Sequence, residues 1–148
     1  MTSTAKWLVP LLLLVAGCGG PIRDVSVFDE TEVTVGSETL TVWVADEPSE
    51  RQRGLMEIEE LPDGVDGMLF VFPSPSSRSF QMLHTPMPLE VWWFDGDGTL
   101  IGSTEMKPCM SDPCASYRSP GPIGWALETP LGVHDFAQGA LLSNFDSV

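Results

Sequence analysis

Basic residues are the scarcest charged class in this sequence. Lysine and arginine together number 7 against 21 aspartates and glutamates, for a formal net charge of −14 at pH 7. A protein that binds nucleic acid needs a basic surface to displace counterions from phosphates, so this composition argues against a nucleic-acid partner. Histidine occurs only twice, and no serine lies in a Gly-x-Ser-x-Gly segment. The sequence therefore predicts no Ser-His catalytic triad, and no motif in it predicts a cofactor.

No apolar run reaches the roughly 20 residues that a membrane-spanning helix requires. The run Trp7–Gly17 follows the positive charge of Lys6 and ends in Val15-Ala16-Gly17-Cys18, which resembles a bacterial lipobox. We therefore expect an extracytoplasmic lipoprotein, anchored to the membrane through acylated Cys18. An ordinary signal peptide followed by an incidental cysteine is the alternative. The predicted parts are a signal peptide over 1–17, a lipidated tether over 18–24 and a single β-rich domain over 25–148.

Cysteine is also scarce, with three residues in the chain. If Cys18 carries lipid, Cys109 and Cys114 remain in an oxidising compartment, where two free thiols most simply form a structural disulfide. A redox-active pair is the alternative. That chemistry usually uses a Cys-x-x-Cys motif at a helix N-terminus, and neither feature is found here.

Short apolar runs bounded by Pro, Ser or Gly predict β-strands. The dipeptide Gly36-Ser37 predicts a tight hairpin in which Val35 faces Glu38. Residues 48–54 predict one or two helical turns, capped by Asp46 or Ser49 and ended by Gly54. Together these features predict an all-β fold, a small sandwich or partly closed barrel with one short helix. The predicted strands are Val25–Phe28, Thr31–Val35, Glu38–Ala45, Met68–Phe72, Phe80–Leu83, Leu89–Phe94, Thr99–Thr104 and Gly124–Glu128.

In the run Leu89–Phe94, the residues that would point to either face of a strand are apolar, apart from Glu90. This pattern is typical of a strand that is covered on both faces. The tail from Pro130 onward has weak periodicity, and we make no prediction for its structure.

The chain contains Arg53-Gly-Leu-Met56 and Gly67-Met-Leu-Phe-Val-Phe-Pro73, followed by several further motifs. In their order and spacing, these motifs resemble domain-of-unknown-function family 192. The resemblance covers about residues 40–128 and implies a compact, mostly β domain, often behind a signal peptide, with no established activity. Where that family usually has Phe-Trp-Met-Lys-Asn-Thr, this chain has Phe80-Gln-Met-Leu-His-Thr85. The matching motifs include Arg53-Gly-Leu-Met56, Gly67-Met-Leu-Phe-Val-Phe-Pro73, Ser79-Phe80-x-Met82, Phe94-Asp95-x-Asp97-Gly98 and Ala126-Leu127-Glu128.

Arg53 and Arg78 stand out because the chain has so few cations. Each could form a structural salt bridge with one of the many acids. If instead they converge on a concave surface with Trp92 or Trp43, they could bind an anionic or sugar-like ligand. The candidate ligand-binding residues are Arg53, Arg78, Trp92, His84 and Thr85.

Two segments have some of the residues that metal sites use. Asp95-Gly-Asp-Gly98 begins like a calcium loop, but a hairpin turn with glycines at positive φ is the simpler interpretation. Met82, His84 and Met87 include soft ligands of the kind that copper carriers use. A copper site would require these three side chains to share one solvent-facing position. We include no metal ligand among the predicted site residues.

The leading functional hypothesis is a monomeric, non-catalytic binding or accessory module of the cell envelope. A hydrolase that acts on envelope carbohydrate or peptide through acidic residues is the second hypothesis, and copper binding is the third. Converging acids with raised pKa values in a pocket would favour the enzyme, and an apolar aromatic groove would favour the binding module.

Overall fold

A computed structural model describes residues 28–145. The predicted signal peptide, the lipidation site Cys18 and the tether lie outside the described residues, as does the predicted strand Val25–Phe28 except for Phe28. The described elements are β1 (Asp29–Val35), β2 (Glu38–Ala45), α1 (Pro48–Arg53), β3 (Gly67–Ser76), β4 (Ser79–Phe80), β5 (Leu89–Phe94), β6 (Leu100–Met106), β7 (Tyr117–Arg118), β8 (Ile123–Pro130) and β9 (Leu142–Ser143).

Seven strands form one sheet in the order β6-β5-β8-β3-β2-β1-β9, and β4 and β7 form a separate two-stranded ribbon. Strands β2 and β3 run parallel, while the other neighbours in both sheets are antiparallel. Since parallel neighbours need a crossover connection, α1 and the segment after it cross one face of the sheet. The sheet curls into a half barrel. The predicted all-β class with one short helix is confirmed.

The first hairpin forms in the predicted register, with Val35 opposite Glu38 and Val33 opposite Leu40. Gly36 supplies the positive φ of 62° that this tight turn needs. Its amide also donates to the Leu141 carbonyl at 3.0 Å, so the turn is bound to the C-terminal tail.

Helix α1 forms where predicted, but its cap differs from the prediction. The N-cap is Glu47, not Asp46 or Ser49. The carboxylate of Glu50 accepts from the backbone amides of Asp46 and Glu47 at 3.2 and 3.0 Å. A glutamate in the first turn can reach back to these amides, which lack partners within the helix, so Glu50 provides the cap that we had expected from a shorter side chain.

The tail that we could not interpret from sequence joins the two ends of the curled sheet. Strand β9 pairs with β1, and Leu141 forms a bridge with Thr99, next to β6. The Leu100 amide donates to the Ala140 carbonyl at 2.9 Å, and the Leu142 amide donates to the Gly98 carbonyl at 2.8 Å. The tail therefore links the β1 edge of the sheet to the β6 edge.

The sheet separates two hydrophobic cores. We name each core after the segment that covers it: the tail-side core lies under the C-terminal tail, and the helix-side core lies under α1. The tail-side core consists of Val33, Val35, Leu40, Val42, Leu69, Trp92, Phe94, Leu100, Leu127, Phe136 and Leu142. The helix-side core consists of Phe28, Trp43, Ala45, Leu55, Ile58, Met68, Phe70, Met82, Met87, Leu89, Val91, Trp93, Met106, Ile123 and Ala126.

Strand β5 contributes to both cores, which confirms the prediction that it is covered on both faces. The predicted strand Phe80–Leu83 is wrong beyond Phe80, because β4 ends there and the chain continues in irregular turns. Met82 nevertheless lies in the helix-side core. The alternation of apolar residues in Phe80–Leu83 therefore correctly predicted that Met82 is buried but wrongly predicted a strand.

Candidate functional site

A pocket of about 690 Å³ opens on the helix side of the sheet. Its walls come from the last turn of α1 and the turn after it, from β3, from the segment 78–85 and from β8. The lining residues are Arg51, Gln52, Arg53, Gly54, Leu55, Met56, Phe70, Phe72, Arg78, Ser79, Phe80, Gln81, Met82, Leu83, Thr85, Ser116 and Glu128.

Helix α1 places two guanidinium groups at this pocket, from Arg51 and Arg53 in its last turn. The Arg51 Nη1 donates to the carbonyls of Val71, at 2.9 Å, and Asp46. The Arg53 guanidinium lies over the ring of Phe28, 5.3 Å from its centroid. These contacts orient both side chains at the pocket wall.

The glycine that ends α1 allows the helix to pack closely against the pocket floor. Gly54 has a φ of 46°, and a Cβ at this position would lie 3.3 Å from the Phe70 ring. A larger residue would be strained by the backbone conformation and would push against Phe70.

The third guanidinium, of Arg78, stacks on Phe72 at 4.3 Å from the ring centroid. The Arg51 guanidinium approaches the same ring at 5.9 Å. The Arg78 Nη2 donates to the Ser74 carbonyl at 3.3 Å, whereas its Nε is buried and makes no hydrogen bond within residues 28–145. Phe72 therefore positions two cations at the pocket wall.

Aromatic rings form the wall next to these cations. Phe80 packs edge-to-face against Phe70 at 5.0 Å and against Trp93 at 5.2 Å between ring centroids. It is half-buried and lines the pocket, so part of its ring is available to an apolar ligand surface.

One carboxyl group, that of Glu128, lies at the base of the pocket. Glu128 is only 5% exposed, in the central strand β8 between Met68 of β3 and Val91 of β5. The strands can approach here because Gly67 has no side chain, since a Cβ on it would collide with the Glu128 carbonyl oxygen. Burial raises the pKa of Glu128 from 4.5 to about 8, because the charged form loses its hydration. Glu128 is therefore mainly protonated at pH 7.

The disulfide loop supports another wall. Cys109 and Cys114 are bonded to each other, as predicted. Cys109 forms bridges with Leu83 and Thr85, and its carbonyl accepts from the His84 amide at 2.7 Å. The loop thus holds the segment that contributes Met82, Leu83 and Thr85 to the pocket.

The structure brings together three of the five residues predicted to bind a ligand. Arg53, Arg78 and Thr85 line the pocket. His84 is exposed, has a φ of 56° and is not part of the lining, because its neighbours Leu83 and Thr85 turn inward instead.

Trp92 lies on the opposite side of the sheet from Arg53 and Arg78, so its predicted place beside them is corrected. It is buried in the tail-side core, where its Nε1 donates to Thr129 Oγ1 at 3.0 Å and its ring meets Phe136. Successive residues of a strand point to opposite faces, and it is Trp93 that faces the helix side. The aromatic partner of Arg51 and Arg78 is Phe72, and that of Arg53 is Phe28.

The arrangement required for copper binding is not formed by the described residues. Met82 and Met87 are buried in the helix-side core, whereas His84 is exposed to solvent. The three side chains therefore share no solvent-facing site. Within residues 28–145, no cluster of three or more His, Cys, Asp or Glu side chains could hold a metal ion.

The hydrogen bonds of Asp95 show that the segment Asp95-Gly-Asp-Gly98 is a hairpin turn. One oxygen of its carboxylate, Oδ1, accepts from the backbone amides of Asp97 and Thr99, both at 2.9 Å. Gly98 completes the turn with a φ of 81°. This is the turn interpretation that the glycines favoured.

Three important pocket residues were missed in the sequence: Arg51, Phe72 and Glu128. Arg51 lies in the same helical turn as Arg53, so the predicted helix could have indicated it. Glu128 is two residues from the buried Ala126, and the alternation of a strand places both on one face. No sequence signal connects Phe72 to Arg51 or Arg78.

This arrangement is suited to binding. Three guanidiniums and an aromatic wall can hold an anionic group with an apolar or sugar-like body. The lining described here includes a single carboxyl group, that of Glu128. Glycoside cleavage ordinarily uses two carboxyl groups that flank the scissile bond.

Comparisons with known proteins support the fold and the family. A Sinorhizobium meliloti protein, provisionally designated a transcription regulator, has a structure similar to this chain at 27% identity, with a TM-score of 0.66 over 78% of this chain and 94% of that one. A Novosphingobium aromaticivorans protein of unknown function is similar at 24% identity, with a TM-score of 0.67 over 82% of this chain and 89% of that one. No curated protein sequence matches the chain. The model of the DUF192 family, described as an uncharacterized group, matches residues 31–138, and the chain belongs to that family.

Proposed function

We propose that this protein is a non-catalytic binding module whose pocket holds a small ligand through an anionic group. The observation that carries this proposal is the convergence of Arg51, Arg53 and Arg78 on one aromatic-lined pocket. The other basic residues within 28–145 are Lys107 and Arg118. In a chain with a net charge of −14, a concentration of cations in one concave site favours an anion as the ligand.

The ligand chemistry follows from the contacts of the cations. Arg51 and Arg78 both lie against Phe72, so their guanidinium planes are held at the pocket wall. A guanidinium can donate two parallel hydrogen bonds to a carboxylate or phosphate, and such charge-assisted bonds contribute about 1.5–3 kcal/mol each. The half-buried ring of Phe80 would then contact the apolar part of the ligand.

The test is a binding titration of the purified protein with acetate, butanoate, benzoate, glucuronate and inorganic phosphate. We expect at least one of these anions to bind, and Arg78→Gln to weaken it by at least tenfold, because a charged donor is lost. Arg118→Gln is the matched control, since Arg118 is exposed and does not line the pocket. The proposal is wrong if no anion of the panel binds at millimolar concentration, or if the two variants weaken binding equally.

An extracytoplasmic location is part of the same proposal. The Cys109–Cys114 disulfide supports it, because disulfides persist in oxidising compartments. Residues 28–145 include no helix that is long and apolar enough to cross a membrane. Attachment to the envelope would then depend on Cys18, at the end of the lipobox-like segment.

Lipid attachment can be tested by detergent phase partitioning. We expect the wild-type protein to enter the detergent phase and Cys18→Ser to remain in the aqueous phase, since the variant has no thiol for acylation. Equal partitioning of the two proteins would contradict the lipoprotein assignment.

A further inference from the structure

The carboxyl group of Glu128 is buried in the pocket that also holds the cations of the proposed anion site, and no residue within 28–145 donates to it. Glu128 is 5% exposed and lines the pocket. Within residues 28–145, no side chain or backbone donor forms a hydrogen bond or ion pair with this carboxyl. Buried polar groups are nearly always paired, so the lack of a protein partner leaves this carboxyl open to a donor that enters the pocket.

The groups that face Glu128 are apolar on the strands that flank it. Met68 of β3 and Val91 of β5 are its direct neighbours in the sheet. The charged groups that line the same pocket are Arg51 and Arg53 from α1 and Arg78 before β4. A ligand that fills this pocket therefore meets cations at one part of the wall and one carboxyl at its base.

We propose that the ligand is a small zwitterion, whose anionic group binds the arginines and whose ammonium group donates hydrogen bonds to the Glu128 carboxylate. This inference rests on the proposed anion site and specifies the second recognition group. An ammonium group is the strongest complement to a carboxylate that has no other donor, since it provides both the opposite charge and the hydrogen bonds. The ligand class is an amino carboxylate, in which an amine and an acid are separated by a short apolar chain.

Binding of this ligand releases a proton. Burial keeps Glu128 protonated below about pH 8, so the proton leaves to solvent as the ammonium group enters, and an ion pair replaces the neutral acid. Affinity must therefore rise with pH by up to about tenfold per unit below pH 8 and level off above it.

The experiment compares three series of linear carboxylates of two to six carbons in calorimetric titrations of the full chain. One series consists of unsubstituted alkanoates, one of ω-hydroxy acids and one of ω-amino acids. For wild-type protein, we expect the best ω-amino acid to bind at least tenfold more tightly than the alkanoate and the hydroxy acid of equal length. Its affinity should also rise between pH 6 and pH 8, while that of the alkanoate should not.

Glu128→Gln is the decisive variant, because it preserves the shape of the side chain and removes the acid. We expect it to reduce the advantage of the amine to less than threefold and to abolish the pH dependence. If the amine gives no advantage in wild-type protein, if hydroxy acids bind equally well, or if the advantage persists in Glu128→Gln, the zwitterion proposal is overturned.

The two proposals fail in different ways in this experiment. Alkanoates that bind wild-type protein and lose affinity in Arg78→Gln, with no gain from the amine, overturn only the role of Glu128. If no member of any series binds, or if Arg78→Gln has no effect on any of them, the anion site itself is overturned.

Discussion

The two faces of the sheet are covered in different ways. On the tail side, the C-terminal segment packs Phe136 and Leu142 onto apolar strand residues and joins β1 to the β6 edge through backbone hydrogen bonds. On the helix side, the cover consists of α1, the turns between β4 and β5, and the disulfide loop. The pocket, with its three arginines and Glu128, opens on this second side.

The two covers differ in how their backbone N–H and C=O groups find hydrogen-bond partners. Part of the tail-side cover continues the hydrogen bonding of the sheet, because β9 pairs with β1 and Ala140 and Leu142 form backbone bonds with Leu100 and Gly98. The helix-side cover is made of irregular segments that pack less evenly, and such segments leave room for a pocket and for polar side chains. The tail side therefore holds one of the two hydrophobic cores without this pocket, and the helix side presents the candidate site.

The largest expected effect tests whether both faces are structural cores. Trp93 and Trp92 are adjacent in β5 and lie in the helix-side and tail-side cores respectively. Truncation of either to Ala should lower the free energy of unfolding by about 3–5 kcal/mol, because a large buried side chain leaves a cavity. His84→Ala, at an exposed position, should cost less than about 1 kcal/mol. Urea unfolding followed by circular dichroism measures all three. A cost below 1 kcal/mol for either tryptophan would contradict the two-core description.

The second prediction concerns the pH dependence of stability, which we expect to arise from Glu128 on the helix side of the sheet. The folded-state pKa of Glu128, about 8, is above its ordinary value of 4.5, so the folded protein holds a proton that the unfolded chain has lost between these values. The stability contributed by the neutral acid is therefore fully present below pH 4.5 and is lost as the pH rises to about 8. One group can change the free energy of unfolding by at most about 1.4 kcal/mol per pH unit.

Glu128→Gln should remove this pH dependence and stabilise the protein by a few kcal/mol at pH 8 relative to wild type. Glu105→Gln is the matched control, because Glu105 is exposed on β6. Thermal unfolding of the three proteins from pH 4 to pH 9 provides the comparison. Parallel curves for wild type and Glu128→Gln would show that the carboxyl is not held in its neutral form.

The smallest effect concerns the disulfide loop, which contacts the helix-side cover at Leu83, His84 and Thr85. Replacement of Cys109 and Cys114 by Ser should lower the free energy of unfolding by about 2 kcal/mol, since a short closed loop constrains the unfolded chain only modestly. Hydrogen exchange should accelerate at the His84 and Thr85 amides, whose segment the loop holds. The amides of the tail-side hairpin β1–β2 should exchange as before. Equal acceleration on both faces would show that the disulfide stabilises the whole domain rather than the pocket wall.

Local interactions account for what could be predicted from the sequence. The Gly36-Ser37 turn determines the register of the first hairpin, because a two-residue loop fixes which residues face each other. Apolar residues on both faces of Leu89–Phe94 indicated a strand that is covered on both sides. The end of α1 at Gly54 and the pairing of the two cysteines were also predictable from neighbouring residues.

The site depended on interactions that the sequence does not display. Period-two alternation places Trp92 and Trp93 on opposite faces, but only the packing of α1, the turns and the tail determines which face has a pocket. Arg51, Arg78 and Glu128 are far apart in the chain and meet because β3 lies parallel to β2 and pairs with β8. Strand register and alternation are local properties, so the sequence by itself determined most of the longer strands and the fact that β5 is covered on both faces. Which irregular segments cover a face depends on long-range packing without a repeating pattern, and only the tertiary structure decided it.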